Sequence, residues 1–318
     1  MKKFLVIFFT VLCLAAGAFA QENTSPKSTL YGYFRFDYDY NKAMSEDEAA
    51  NELDGFNIAR SRVGWELQMT DALKSVLELE LFEKLTFTDS NDDDVSIRTL
   101  NIRLANIAWQ PVENFTITAG KMYQAFTPES LDRYDDKTDG IQADYAFGIA
   151  KVIFQLGGVD DVDKQSLLIM PGVILTPDLG DLSLKAGANA QFVTSYLTDA
   201  DMGIGLNAYA IIGIAGFEAI LDVDALNLQD EATSMINAYA TLKYKIEILK
   251  PVVDAYVYDI AANQGNMYIN IDFGAEIEPV TSFVIYPFLT LKNIGQANGG
   301  EMDWEFTMRF QWKPKYRF

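Results

Sequence analysis

Two arginines two residues apart, Arg60 and Arg62, stand in a 318-residue chain that is otherwise acidic, with 25 Lys and Arg against 45 Asp and Glu. On an extended strand such a pair shares one face. Arg35 falls on the same side of the preceding predicted strand, and Arg103 lies further round. Carboxylates recur at the same spacing as Asp37/Asp39, Glu78/Glu80 and Asp222/Asp224. A carboxylate pair can do acid–base chemistry, but recurrence on several strands reads as a face wetted by water. His is absent, which removes His-dependent triads, His-based acid–base pairs and zinc hydrolases. Cys13, the sole thiol, falls in a cleavable leader, so disulfides, thiolate metal sites and cysteine nucleophiles go with it. The run DSNDDD at 89–94 fails as an EF-hand: counted from Asp89, the Gly place holds Asp94 and the closing Glu place holds Leu100. It reads as a solvated loop. Gly203 and Gly205 lack the helix that a phosphate-cradling loop needs. No enzyme, cofactor or metal site is expected.

Alternation is what positions these residues. The last seventeen, MDWEFTMRFQWKPKYRF, put Met302, Trp304, Phe306, Met308, Phe310, Trp312, Pro314, Tyr316 and Phe318 on one face. Asp303, Glu305, Thr307, Arg309, Gln311, Lys313, Lys315 and Arg317 fall on the other. Period two means a strand, and an apolar face this long suits a tilted strand crossing a bilayer. The pattern repeats over 30–40, 56–69 and 73–85 and through the later hairpins, with polar loops alternating with short turns. We expect an all-β fold: a transmembrane antiparallel up-and-down β-barrel of about sixteen strands. Fourteen is the alternative, reached by merging strands between 141 and 177. A turn is predicted at 178–181, and Pro314, which cannot donate to a ladder, is expected to be tolerated near the rim.

The ends and the charge agree. Lys2 and Lys3, a short apolar run and Ala18-Phe19-Ala20 form a secretory signal peptide over 1–20. A short periplasmic leader over 21–28 and a barrel over 29–318 follow. No later segment reaches the length of a membrane-spanning helix, so an exported chain that crosses the bilayer must do so as a closed barrel. Without Lys2 and Lys3 the net charge moves from −20 to −22, which argues against nucleic acid as a partner.

An alternating final strand ending in Phe resembles the last strand of bacterial outer-membrane barrels, and that resemblance implies an assembly signal at Phe318. The segment FNIARSRVGWELQMTD is similar to the second strand of the general and phosphate-selective porin superfamily, where paired basic residues line the pore. Arg35, Arg60, Arg62 and Arg103 are the matching candidates, with Lys121 in GKMYQAF implied by the resemblance. Its parity groups it instead with Phe115, Ile117 and Ala119. In that family the third loop folds inward, which here would be about 123–140. Phe126-Thr127-Pro128-Glu129 partly matches its motif, although Ser130 and Leu131 replace the usual Phe and Gly. Glu129, Asp132, Asp135 and Asp136 become the acidic side of a constriction. The resemblance implies a water-filled channel for passive diffusion of small hydrophilic solutes and ions, commonly homotrimeric. Its surroundings would be outer-membrane lipids and the barrel assembly machinery. Predicted lumenal acids outnumber bases, which favours cations away from the arginines. Two other readings are a plugged structural or adhesive barrel and a secreted soluble carbohydrate-binding β-protein.

Overall fold

The computed structural model describes residues 26–42, 55–88, 94–124, 137–161, 164–195, 203–230, 234–260, 267–295 and 302–318. The alternating segments form β1 (Lys27–Lys42), β2 (Gly55–Thr70), β3 (Leu73–Thr88), β4 (Asp94–Val112), β5 (Phe115–Tyr123) and β6 (Lys137–Phe147). Next come β7 (Ala150–Asp161), β8 (Lys164–Leu175), β9 (Asp178–Leu179), β10 (Leu182–Ser195), β11 (Gly203–Ile214) and β12 (Phe217–Leu226). The chain ends with β13 (Met235–Tyr244), β14 (Leu249–Tyr258), β15 (Tyr268–Val280), β16 (Phe283–Ile294), β17 (Asp303–Trp312) and β18 (Lys315–Arg317).

Two of these segments continue a neighbour. Asp178 and Leu179 pair with Ser183 and Leu182, extending β8 along β10 beyond Pro177. Lys315–Arg317 extends β17 along β1 beyond Pro314. Proline has no N–H for a ladder, and both interruptions fall at prolines. The wall therefore has sixteen antiparallel strands, as expected, and β1 closes it by pairing with β2 on one side and with β17 and β18 on the other. Closure leaves no exposed edge.

Three boundaries differ from expectation. The 178–181 turn shrinks to Gly180 and Asp181, because a residue with φ of 68° at Gly180 turns the chain within two positions. The wall begins at Lys27 rather than residue 29, since Lys27 and Ser28 pair with Gln68 and Leu67. Tyr123 and residues 137–140, assigned to the third loop, are strand residues paired across β5 and β6.

The two faces meet different solvents. Leu30, Phe36, Leu77, Leu206, Leu221, Val223 and Phe273 are exposed on the outside, where lipid would cover them. Trp65, Trp109, Phe147, Phe217, Tyr244 and Trp312 are also exposed. All lie near the short turns, where an aromatic girdle marks a membrane interface. Inward positions hold buried polar residues such as Asp37, Arg62, Glu78, Glu80, Arg103, Asn189, Asn207 and Asp222. Alternation does not make the whole lumen polar: Ile153, Leu168, Met170 and Ile174 form one buried cluster on β7 and β8, and Val252, Tyr286 and Phe288 another on β14 and β16.

Candidate functional site

The basic residues converge on the inner wall of β1 to β4. Arg35 and Arg60 are cross-strand partners, and Tyr33 stands opposite Arg62. Like charges facing each other repel, and the wall answers with carboxylates. Arg35 Nε and Nη2 donate to Asp37 Oδ2 at 2.8 and 2.5 Å. Arg62 Nε donates to Glu80 Oε2 at 3.3 Å. Arg103 Nε donates to Glu78 Oε1 at 2.9 Å, Nη1 to Glu80 Oε2 at 2.5 Å and Nη2 to Tyr123 Oη at 3.2 Å. Tyr31 Oη donates to Glu78 Oε2 at 3.0 Å.

Two β-bulges make this convergence possible. Between Arg35 and Phe36 the β1–β2 register slips, so Arg60 faces Arg35 while Ile58 faces Phe36. Between Glu78 and Leu79 the β3–β4 register slips, leaving Arg103 as the extra residue between Ile102 and Leu104. An extra residue re-aims its side chain, and Arg103 is thereby turned into the Glu78/Glu80 pair with only 4% of its surface exposed. Closure then brings in the far end of the chain. Arg309 Nε on β17 lies 3.3 Å from Asp37 Oδ1, and Thr307 Oγ1 donates to Asp39 Oδ1 at 2.8 Å. Lys313 lies over the Tyr33 ring at 5.2 Å, and Arg62 over the same ring at 5.6 Å.

The structure thus gathers Arg35, Arg60, Arg62 and Arg103 but does not add Lys121 to them. Lys121 stands in the cross-strand row of Leu77, Ala105 and Asp139, with the outward residues. Tyr123, two residues on, nevertheless reaches Arg103, and Gly120, with φ of 119°, lies just before Lys121. Glu129, Asp132, Asp135 and Asp136 lie outside the described residues, as do 89–93 of the acidic run and the leader through residue 25. Phe318 is 78% exposed on the outer side and is held to Ser28 by two backbone hydrogen bonds, N–H to O of 2.8 and 3.1 Å. Sequence reasoning missed Arg309 and Lys313 as members of the basic wall. Their inward parity was visible; their adjacency to Asp37 and Tyr33 needed closure.

The opposite wall is built differently. Asn207 Nδ2 donates to Asp222 Oδ1 at 2.7 Å and to Asp224 Oδ1 at 2.6 Å. Asp222 pairs across strands with Tyr239, Tyr239 with Tyr256, and Asp254 with Asp272. Carboxylates occur on both walls: Asp37, Asp39, Glu78 and Glu80 are paired with the arginines or their neighbours, while Asp222, Asp224, Asp254 and Asp272 stand on strands whose basic residues lie near the short turns.

A closed sixteen-stranded wall with an apolar outer belt and a charged, tyrosine-rich lumen defines a porin-like β-barrel fold. Residues 30–157 match the family model described as phosphate-selective porin O and P. The fold is similar to the outer membrane channel DcaP of Acinetobacter baumannii, with a TM-score of 0.63 and 14% identity, covering 92% of this chain and 99% of that one. It is similar to an anion-selective porin from Comamonas acidovorans, with a TM-score of 0.63 and 13% identity over 91% of this chain and 100% of that one. It also resembles the trimer form of OmpT from Vibrio cholerae, with a TM-score of 0.59 and 12% identity over 91% and 100% of the two chains. No curated protein matches it by sequence.

Proposed function

We propose that this barrel passes small hydrophilic solutes and ions passively down their gradients, with no catalytic step and no cofactor. In this reading Arg35, Arg60, Arg62 and Arg103 form the basic side of a constriction, and Glu129, Asp132, Asp135 and Asp136 of an inward-folding third loop form the acidic side. The observation that carries it is the convergence of four arginines on neighbouring rungs of a closed lumenal wall, beside the end of β5. β5 is nine residues long against nineteen for β4, and its last residue, Tyr123, is bonded to Arg103. A loop starting there begins partway down the wall next to the arginines. The buried apolar cluster of Ile153, Leu168, Met170 and Ile174 on the inner wall gives such a loop an apolar surface to rest on.

Opposed charges across a narrow aqueous gap produce a transverse field that orients polar solutes and disfavours apolar ones. A homotrimer is supported by the trimeric form of the Vibrio cholerae relative in fold. Outer faces carrying Ala186, Ala188, Ala208 and Ala210 in cross-strand pairs would suit close contact between copies. Phe318, at the closing seam, is the proposed handle for the barrel assembly machinery. Planar-bilayer recording tests the reading. The wild-type protein is expected to conduct in KCl, and Arg60→Ala with Arg62→Ala to move the reversal potential in asymmetric salt toward cation preference. A silent bilayer would favour the plugged barrel, and an unchanged reversal potential would remove the arginines from the constriction.

A further inference from the structure

The wall of β10 to β15 carries a surface that the arginine constriction does not use. Tyr258 and Tyr268 flank one loop and stack at 4.2 Å between ring centroids. One step further into the barrel, Tyr256 and Tyr239 are cross-strand partners with centroids 6.1 Å apart. One step deeper again, Asp254 and Asp272 face each other, and Tyr286 Oη lies 3.5 Å from Asp254 Oδ2. Strand geometry spaces such lumenal rungs roughly 7 Å apart. The result is a continuous track from the loop end inward, aromatic first and acidic below, with Asp222 and Asp224 beside it on β12.

Two observations say what chemistry the track is built for. Among the described residues, lumenal positions on these strands hold Lys only near the short turns, as Lys185, Lys243 and Lys250. Two of these are already engaged: Glu276 lies 3.8 Å from Lys243 and 2.6 Å from Lys250. The upper track therefore presents carboxylates with no cation interleaved on its own strands, the nearest being Arg309 on β17, 5.9 Å from the Tyr286 ring centroid. The second observation is unused acceptor capacity. Asn189, 6% exposed, and Asn207, which faces it across β10 and β11, each have a buried Oδ1 that accepts no hydrogen bond, and Asp254 Oδ1 is in the same state. A buried acceptor without a donor is costly. With a side-chain rotation that brings them to the lumen surface, a solute rich in N–H donors would supply what these oxygens lack.

Resting on the channel reading, we propose that this wall is a recognition track for organic cations bearing primary ammonium groups. Tyrosine faces attract an ammonium through their quadrupole, and carboxylate and amide oxygens accept its three protons. A neutral sugar could stack on the rings, but it would not call for carboxylates on β12, β14 and β15. The lumen then has two lanes: guanidinium groups on β1 to β4 and β17 for anionic groups, and tyrosine with carboxylate on β10 to β15 for cationic ones.

The probe is 1,5-diaminopentane, added to the loop side of single channels in KCl, with maltose as the neutral comparison. Concentration-dependent block by the diamine and none by maltose is expected. Tyr258→Leu with Tyr268→Leu, and separately Asp254→Asn with Asp272→Asn, should each raise the half-blocking concentration about three- to tenfold. Tyr258→Phe with Tyr268→Phe keeps the ring faces and should leave block near wild type, a rescue that a merely structural role would not require. Variants enter the comparison only if they retain heat-modifiable gel mobility, and the Phe and Asn variants alone suffice if the Leu pair does not fold. Conduction without diamine block, equal block in all variants, or equal block by maltose would overturn the track. A wild-type protein that does not conduct at all would overturn the channel reading instead.

Discussion

Arg103→Met tests whether the basic wall is a desolvated network or a set of hydrated charges. Arg103 is 4% exposed, and its partners Glu78 and Glu80 are 6% and 8% exposed. Its partners among the described residues include Glu78, Glu80 and Tyr123. Removing one member of a buried ion pair costs about 3–5 kcal/mol, because the remaining charge stays buried without its partner. The geometry places this case near the lower figure. Glu80 keeps Arg62 at 3.3 Å, while among the described residues Glu78 keeps the Tyr31 hydroxyl at 3.0 Å and a long Tyr123 contact at 3.5 Å. One of the two carboxylates loses its cation, so the expected loss is about 3 kcal/mol. Glu78→Gln in the same chain removes the stranded charge, and the double variant should return to within about 1 kcal/mol of wild type. Urea unfolding in detergent micelles, followed by the fluorescence of Trp65, Trp109, Trp304 and Trp312, measures all three proteins. An Arg103→Met loss below about 1 kcal/mol would mean that lumenal water screens the cluster. Additive single losses in the double variant would mean that the two residues are not coupled. Either result ends the idea of a preorganised basic wall.

The same unfolding assay checks other parts of the structure. A Cβ on Gly64 would meet the Tyr31 ring, so Gly64→Ala should push Tyr31 off Glu78 and cost about 1–3 kcal/mol; a neutral substitution would deny that packing. Leu221 is 49% exposed in the middle of β12's outer face. Leu221→Arg should cost about 2–4 kcal/mol in a bilayer, and a harmless arginine there would mean that this face does not meet hydrocarbon. Deleting Phe318 removes two backbone bonds to Ser28, each contributing about 0.5–1.5 kcal/mol. The refolded barrel should therefore be only modestly weakened, while the yield of folded protein in membranes falls sharply; equal yields would remove the assembly role.

Period-two patterning was enough to read the wall. Strands such as β11, with Leu206 out and Asn207 in, need only local alternation and a lipid boundary, and sixteen of them close because strands in a membrane have no other way to satisfy their backbone. Bulges are harder, since nothing in NIARSRV or in NIRLANI marks which residue is extra. Parity therefore placed Arg103 only loosely, while its position on a slip in the β3–β4 register is what aims it at Glu78 and Glu80. Turns misled at 178–181, because Asp178 and Leu179 look like loop residues yet fill ladder positions opposite Leu182 and Ser183. The inner apolar cluster around Met170 was also invisible to a rule that assigns water to every second residue. That rule holds only where the lumen is wet.

The division of charge between walls follows from closure rather than from any local motif. Arg309 and Asp37 are 272 residues apart in sequence, yet β17 lies beside β1, so the C-terminal strand completes a basic surface begun by the N-terminal ones. The acidic and tyrosine-bearing strands lie between these ends in sequence, and a closed ring must put the middle of the chain across the lumen from its termini. Arg35, Arg60, Arg62 and Arg103 near one end and Arg309 near the other are thereby set on one wall, and Asp222 and Asp224 from the middle of the chain on another. It follows that Arg309→Gln, far from Arg60 and Arg62 in the chain, should shift the reversal potential in the same direction as the Arg60→Ala, Arg62→Ala pair. A shift confined to the N-terminal arginines would mean that β17 contributes to the wall without facing the path of the ions.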